Sequence, residues 1–562
     1  MNRREFVKVG GLLAAAGLPP LRFSAATSVP APEFDLLDPV DLFSRIRLGQ
    51  GALLGCLDAS RGHLPYWNCD IAGGDLTMFK HAPYDGEAVW DRLHNSGRAL
   101  HGLTMAEAVT GERVDPVIIA DLSRFLLGLF SAGDGLPGDS DTPTGKRVVS
   151  LHNMREALNG LTALLKRGDD RAVAPARLMV RTLRGSLDDE GRLHTDRLPP
   201  YVGAYTQPPH MEGRTVDALV RYYRMSGDDV ALETARLITD FALKQCFTEK
   251  GELTELAGTH GHSINVLVTG MIDLAMETRD AVMLMRARRA FDVGLARFNS
   301  SFGWSMEGLH RNVLRGEANN TGDLLRGALL LGQAGFPEYF GRAERILRGH
   351  LLPSQLRRVD AFSNNALAAE DRLRSLASRV RGGFGIPTPN DLQVEPTAPL
   401  CIYDITSGAV DALCETWRAA LQTGAGEVRV HLLFGAERDG VTVRSELSRE
   451  GRVVVDDRSG RALQVRLPAW VPASEISVQV NGAVTATPLA DSYLQVGGTG
   501  AAQSVVMQFP LREERTVETM AGQAFTIDWR GDQIVAMSPP EVPNAAGAPI
   551  PPVGIPMFPR CQ

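Results

Sequence analysis

Three carboxylic acids, Glu307, Glu317 and Asp404, carry the clearest chemical possibility in this chain. Glu307 and Glu317 lie ten positions apart on a stretch with few apolar residues, and Asp404 lies far off in sequence. Cleaving a glycosidic bond needs a proton donor for the leaving oxygen and a second carboxylate to activate water or to attack directly. These three residues can furnish that pair. Each is equally readable as a solvated carboxylate or a helix cap, in a chain with 66 acidic residues. Glu317 and the residues up to Asp323 immediately precede the apolar run Leu324 to Leu331. Glu317 is therefore expected at or just before a helix N-terminus, where the dipole favours its ionised form. That form suits a base, a nucleophile or a metal ligand, so proton donation falls to Glu307. If Glu317, Asn319 and Asp404 converge, they make an oxygen-rich site without sulfur. Such a site suits Ca²⁺ or Mg²⁺ better than zinc; the alternative is a hydrogen-bond network that holds no metal.

Histidines and aromatics supply candidate contacts to a substrate. His260 and His262 are too close for both to face one way on a helix, and on a turn only one would point inward. His210 begins an amphipathic helix, and it either faces a site or neighbours the helix cap. Tyr201 and Tyr205 flank Pro199-Pro200 together with His194; such loop residues stack on sugar rings or simply pack the loop. A β-elimination reading uses a base such as His or Tyr and a group that neutralises a uronate carboxylate. His262, Tyr403, Asn319 and Arg214 are the candidates for those parts.

These residues must be positioned by helices. From about residue 35 to 422 the apolar spacing is helical. Val216, Leu219, Val220 and Tyr223 recur on one face, Gly227-Asp228 ends that helix, and Leu232 to Phe241 repeats the pattern. Further helical runs span 117–130, 153–166, 175–187, 264–276, 281–297, 324–335, 338–352 and 409–421. No fixed-period repeat is present, which disfavours an open solenoid. The expectation is a mainly α fold, an (α/α)6-type toroid of helical hairpins. After Gly424 the period becomes two, as in Val428-Arg-Val430 and Ile476-Ser-Val478-Gln-Val480, with Asn481-Gly482 as a hairpin turn. Residues 425–537 are read as a β-sandwich. The Pro- and Ala-rich tail, 538–562, is read as an extended strap or as disordered.

At 562 residues, with 44% hydrophobic and 22% charged residues, the chain can bury a large core. A net charge of −7 argues against nucleic-acid binding. Residues 1–26 read as a signal peptide, too short in its apolar part to span a bilayer. Arg3-Arg4 with Phe6 and Lys8 resembles a twin-arginine export signal, so the protein is expected in the periplasm or outside the cell, with no membrane span. Six cysteines are too sparse for a disulfide framework; a Cys56–Cys69 bridge is the one pairing suggested.

Three stretches resemble the β-L-arabinofuranosidase-type glycoside hydrolases. They are His210-Met-Glu-Gly-Arg214 through Tyr223, Gly261-His262-Ser-Ile-Asn, and Leu463 through Trp470 with Val478 to Gly482 and Tyr493-Leu-Gln-Val. The resemblance implies a helical toroid with an accessory β-domain, a carbohydrate substrate, and a histidine at position 262 that faces the sugar. It places His152 near a further site histidine, one residue out of register. It implies a zinc bound by a glutamate and cysteines, one thiolate being the nucleophile. Glu317-Ala318-Asn319 stands where glutamate-x-cysteine is expected, and Tyr403-Asp404 where a cysteine pair is expected. The reading is thus an exported glycoside hydrolase for furanosides or other uncommon sugars, lacking the zinc-binding cysteines. The alternatives are a polysaccharide lyase or a non-catalytic carbohydrate-binding protein. Cys401, without thiolate neighbours, is not expected to be an essential nucleophile.

Overall fold

A computed structural model describes residues 41–66, 68–70, 75–77, 90–140, 147–198, 207–309, 314–359, 364–391, 401–486 and 488–539, with a few positions beyond. Residues 1–26, read as a signal peptide, and Tyr201 and Tyr205 lie outside the described residues, as does the side chain of Cys69. No helix among the described residues is long and apolar enough to cross a membrane.

Thirteen α-helices are described: α1 (Leu42–Gly55), α2 (Trp90–Thr110), α3 (Pro116–Gly128), α4 (Met154–Lys166), α5 (Val173–Ser186), α6 (Thr215–Ser226), α7 (Asp229–Gln245), α8 (Gly261–Thr278), α9 (Ala281–Arg289), α10 (Ala318–Gln333), α11 (Glu338–Ile346), the short α12 (Leu376–Val380) and α13 (Tyr403–Ala420). Helices α2, α4, α6, α8, α10 and α13 pack in that order and α13 returns to α2, which closes a ring. Helices α1, α3, α5, α7, α9 and α11 pack outside it. The (α/α)6 toroid expected from the helical spacing is formed.

The two layers differ as their sequences require. Outer helices carry one apolar stripe; in α5 only Ala176, Met179, Val180, Leu183 and Ser186 are buried. Inner helices are buried almost all round, as α8 is from Gly261 to Ala275. Outer helices also start on aspartate caps: Asp41, Asp115, Asp228 and Asp280 each accept hydrogen bonds from the first-turn N–H groups of α1, α3, α7 and α9.

The chain passes from α13 straight into the five-stranded sheet of a sandwich, through Leu421–Thr423 and Glu427–Val430. A six-stranded antiparallel sheet faces it, and Val428, Val430, Val443, Val455, Val465 and Val505 fill the core between them. The hairpin read at Asn481-Gly482 is present, with both residues at positive φ and Val480 opposite Ala483. The expected sandwich boundary needs correction. It ends near Gln508, and strands Glu513–Met520, Gln523–Arg530 and Gln533–Ser538 form a separate sheet. Phe525, Ile527 and Trp529 of that sheet join the toroid core, because a three-stranded sheet has no second sheet of its own to bury them against. In the tail, Val542–Pro543 pairs with Pro549–Ile550, and Met557 is buried in the toroid core.

The suggested Cys56–Cys69 bridge involves a side chain outside the described residues; the buried Cys56 thiol lies beside that of Cys401.

Inner helices α2 and α4 touch backbone to backbone at Gly97 and Gly160. A methyl group at Gly97 would lie 2.1 Å from the Glu156 carbonyl oxygen. Alanine favours a helix by about 1 kcal/mol over glycine, but a clash with backbone cannot relax by a rotamer change. Gly97→Ala should therefore destabilise the protein by about 1–3 kcal/mol in denaturant unfolding, where a loosely packed position would show a gain.

Candidate active site

All six inner helices bring their N-terminal ends to one mouth of the toroid. His94 of α2 lies 3.3 Å (Nε2) from Asp404 Oδ2 at the start of α13. The ring of His94 stacks on that of His152, before α4, at 5.8 Å. His152 meets His210, before α6, at 4.6 Å, and His210 stacks on His260, the cap of α8, at 4.2 Å. Glu317 is the residue before α10. The mouth thus has a histidine arc on one side and carboxylates on the other.

The carboxylates meet because 305–317 folds back on itself. Met306 bridges Gly316, and the Glu307 N–H donates to the Arg315 carbonyl (2.9 Å). Glu307 is ion-paired with Arg315, and its carbonyl accepts from the Gly261 N–H at the start of α8 (2.9 Å). Gly316 and Ala318 donate to Pro387 and Gly385 carbonyls (3.0 and 3.2 Å). A Cβ at Gly316 would lie 2.6 Å from Trp304 Nε1, so this close approach admits only glycine. Glu317 makes no capping bond to α10.

These surroundings separate the acids. Burial, then the Glu307 and Asp404 carboxylates, push Glu317 up to about 8, so it holds a proton at neutral pH. Burial would raise Asp404 too, but His94, Arg98 and the Ile405 N–H hold it below the usual carboxylate range. The expectation of an ionised Glu317 is corrected: burial, with crowding by like charges, outweighs the helix dipole.

Beneath the mouth lies a buried charged floor that the sequence reading missed apart from Arg214. Glu156 Oε1 is 2.8 Å from Arg214, 3.1 Å from Arg98 and 3.2 Å from Arg155. Asp217 takes Arg155 (3.0 Å) and Arg326 (3.4 Å). Burial opposes the charge on both acids, yet the guanidinium groups hold Glu156 well below its ordinary value and Asp217 down to about 2. The available signal was a charged residue inside an apolar helical run: Glu156 before Leu158 and Leu161, Asp217 beside Val216 and Leu219. Arg98 and His94 were missed with their whole helix, whose start lacks apolar periodicity.

Several candidates take other roles than expected. His262 Nδ1 lies 2.8 Å from Asp323 Oδ2, and its Nε2 lies 3.1 Å from Arg214 and 3.3 Å from Arg98. Burial and those arginines keep it neutral, far below the usual imidazole value. Both its nitrogens face protein groups, so it positions the arginines rather than donating to a sugar. His152 likewise rests on the Arg214 guanidinium, and Arg214 is fully buried between them. His210 remains at the mouth. Tyr403 is buried, and burial holds its hydroxyl well above the ordinary tyrosine value, which disfavours a role as a base. Asn319 packs against Gly408, and its Oδ1 accepts from the Asn320 N–H (2.9 Å).

The residues do not fit the family's zinc. Cys401 Sγ contacts Thr406 and Cys56, not the carboxylates. Among the described residues no three His, Cys, Asp or Glu side chains are placed to hold a metal ion.

The closed ring of six helical hairpins with its attached β-sandwich is a fold that this chain shares with solved glycoside hydrolases. The chain is similar to a family 127 β-L-arabinofuranosidase from Geobacillus stearothermophilus T6, at 14% identity and TM-score 0.56, over 89% of this chain and 85% of that one. A second family 127 β-arabinofuranosidase matches at 15% and 0.58 over the same shares, and a further glycoside hydrolase at 13% and 0.54 over 79% and 78%. At these identities the likeness is one of fold. No protein-family model and no curated protein sequence matches the chain.

Glu156 is the common partner of three guanidinium groups, and Glu156→Gln would leave them facing a neutral amide. The variant should lose about 3–5 kcal/mol of stability by chemical denaturation; a loss below about 1 kcal/mol, the scale of an exposed pair, would show that the floor is solvated.

Proposed function

We propose that the protein is a glycoside hydrolase working at the N-terminal mouth of its toroid, with Glu317 as proton donor and Asp404 as the ionised carboxylate. The observation that supports this is the opposed state of two neighbouring acids. One is crowded into keeping its proton, the other is held ionised, and such separation assigns acid and base roles in one site. Glu307, fixed by Arg315, crowds Glu317 and so maintains the donor. His210, which burial keeps neutral, stands in the histidine arc and offers a polar ring to sugar hydroxyls. Furanosides and other uncommon sugars head the substrate panel because the solved structures sharing this fold include arabinofuranosidases. A lyase reading has less support, since burial holds the Tyr403 hydroxyl far above its ordinary value and makes it a poor base. An ultraviolet band from an unsaturated uronate among the products would restore it, and the absence of any turnover would favour a binding protein.

Removing a general acid costs about 10²–10⁴-fold in rate, so Glu317→Gln should lose turnover on that scale. The wild-type rate should also fall as pH rises past about 8, where Glu317 loses its proton. Stability gives an independent check. Folded Glu317 keeps its proton up to about 8, whereas the ordinary value is 4.5. The folded state therefore binds more protons across that window, and stability falls as pH rises through it. Glu317→Gln removes this dependence, so its melting temperature should gain on the wild type between the two ends of the window. Equal pH dependence of the two proteins would refute the assignment.

Export belongs to the same reading. Replacing Arg3 and Arg4 by lysine should leave unprocessed precursor in the cytoplasm, and normal export of that variant would overturn the twin-arginine assignment.

A further inference from the structure

The turn that delivers His210 and Arg214 to the mouth also carries Met211 and Glu212, and these two line a different cavity. It has a volume of about 470 Å³ and lies between the turn, α7 and the loop after α5. That volume falls within the range of about 300–1,000 Å³ that holds small molecules. Phe241, Leu193 and Leu256 form apolar walls, Gln245 adds an amide, and Glu190 and Arg192 stand exposed at the rim.

Glu212 is the anomaly in this lining. Only 4% of it is exposed, yet it has no cation and no side-chain hydrogen-bond partner among the described residues; its carboxyl meets only its own backbone N–H. The buried acids of the floor each have at least one arginine. A buried ionisable group without a partner carries a desolvation cost with nothing to offset it. Burial accordingly pushes Glu212 up to about 8, and pushes the neighbouring Cys246 thiol up to about 12. Besides Cys246, the charged groups in this region are Glu190 and Arg192 on the rim; the lining residues of α7 and of the 255–257 turn are uncharged.

We infer that this cavity is a second binding site, which takes a compact ligand bearing a primary ammonium group and seats that group against Glu212. An amino sugar and a small aliphatic amine share this chemistry. Binding converts the neutral acid into a carboxylate–ammonium pair and releases one proton to solvent: the carboxyl gives up its hydrogen, and the ammonium donates to the resulting carboxylate. A charge-assisted pair out of bulk water is the interaction the empty cavity lacks.

The test is isothermal titration at neutral pH of glucosamine, ethanolamine and glucose into Glu317→Gln protein, in two buffers of different ionisation enthalpy. The Glu317 variant silences the proposed catalytic site, so the outcome is independent of the hydrolase reading. Glucosamine should bind with buffer-dependent heat corresponding to proton release, while glucose binds at least about tenfold more weakly, the scale of one lost charge-assisted bond. Ethanolamine binding equal to that of glucosamine identifies a small amine, and weaker binding identifies an amino sugar; both support the site. Glu212→Gln should abolish proton release and weaken glucosamine about tenfold. Leu256→Trp, a change at a half-exposed wall position, should block binding without disturbing the core, and it serves if the Glu212 variant does not fold. Equal binding of glucose and glucosamine, no binding of either amine, or unchanged binding by both variants overturns the proposal.

Discussion

Three arginines from three inner helices converge on one oxygen of Glu156, and that contact sets the geometry of the toroid interior. Arg98 belongs to α2, Arg155 to α4 and Arg214 to the residue before α6. A buried carboxylate is tolerable only when paired, and a buried guanidinium likewise. Neither side can move without stranding the other. Asp217 extends the same logic down the axis to Arg326, and Asp411 extends it to Arg221 at 3.0 Å. The ring is thus closed around charge rather than around an apolar plug. The glycine contact between α2 and α4 is what lets Arg98 and Arg155 reach the same acid.

A second constraint follows from the direction of the inner helices. Each outer helix that starts on an aspartate spends that side chain on its own first turn. The residues before α4, α6, α10 and α13 are Asn153, Arg214, Glu317 and Ile402, and none of them makes a side-chain cap. At the inner ends the polar side chains are turned to the site instead. Only α8 among the described inner starts is capped, through His260 Nδ1 and the Ser263 N–H (3.2 Å), and that ring also belongs to the histidine arc. The positive ends of the inner helices and the arginine floor face one mouth, which explains why three acids can gather there.

The fold was legible because its signals are local. Helical spacing, the Gly227-Asp228 stop and a change of period at Gly424 all act within a few residues of chain. The small sheet after Glu513 escaped because its alternation is that of any half-buried strand; only the presence of the toroid decides what covers Phe525 and Trp529. Helix α2 escaped for the opposite reason, its buried face carrying His94, Asn95, Ser96, Arg98 and His101. Glu307, Glu317 and Asp404 were legible as residue types, and the structure gathers them. The roles of His262, Tyr403 and Asn319 were not, because they depend on which way a side chain turns.

Glu317 shows how such a role is decided by magnitude. A helix N-terminus stabilises a carboxylate by about 0.3–1 kcal/mol, less than the 1.36 kcal/mol of one pKa unit. The dipole argument has the right sign, and it is the largest effect that local sequence can supply. Against it stand burial and two further carboxylates, both brought by contacts beyond the first turn of α10: the pairing of Met306 with Gly316 that returns Glu307, and the packing of α13 against α10 that brings Asp404. Their combined effect carries Glu317 from 4.5 to about 8, well past what a dipole can offset. The acid that looked like a base therefore becomes a donor through tertiary structure alone. Asp404, also at an inner-helix N-terminus, goes the other way because His94 and Arg98 reach it.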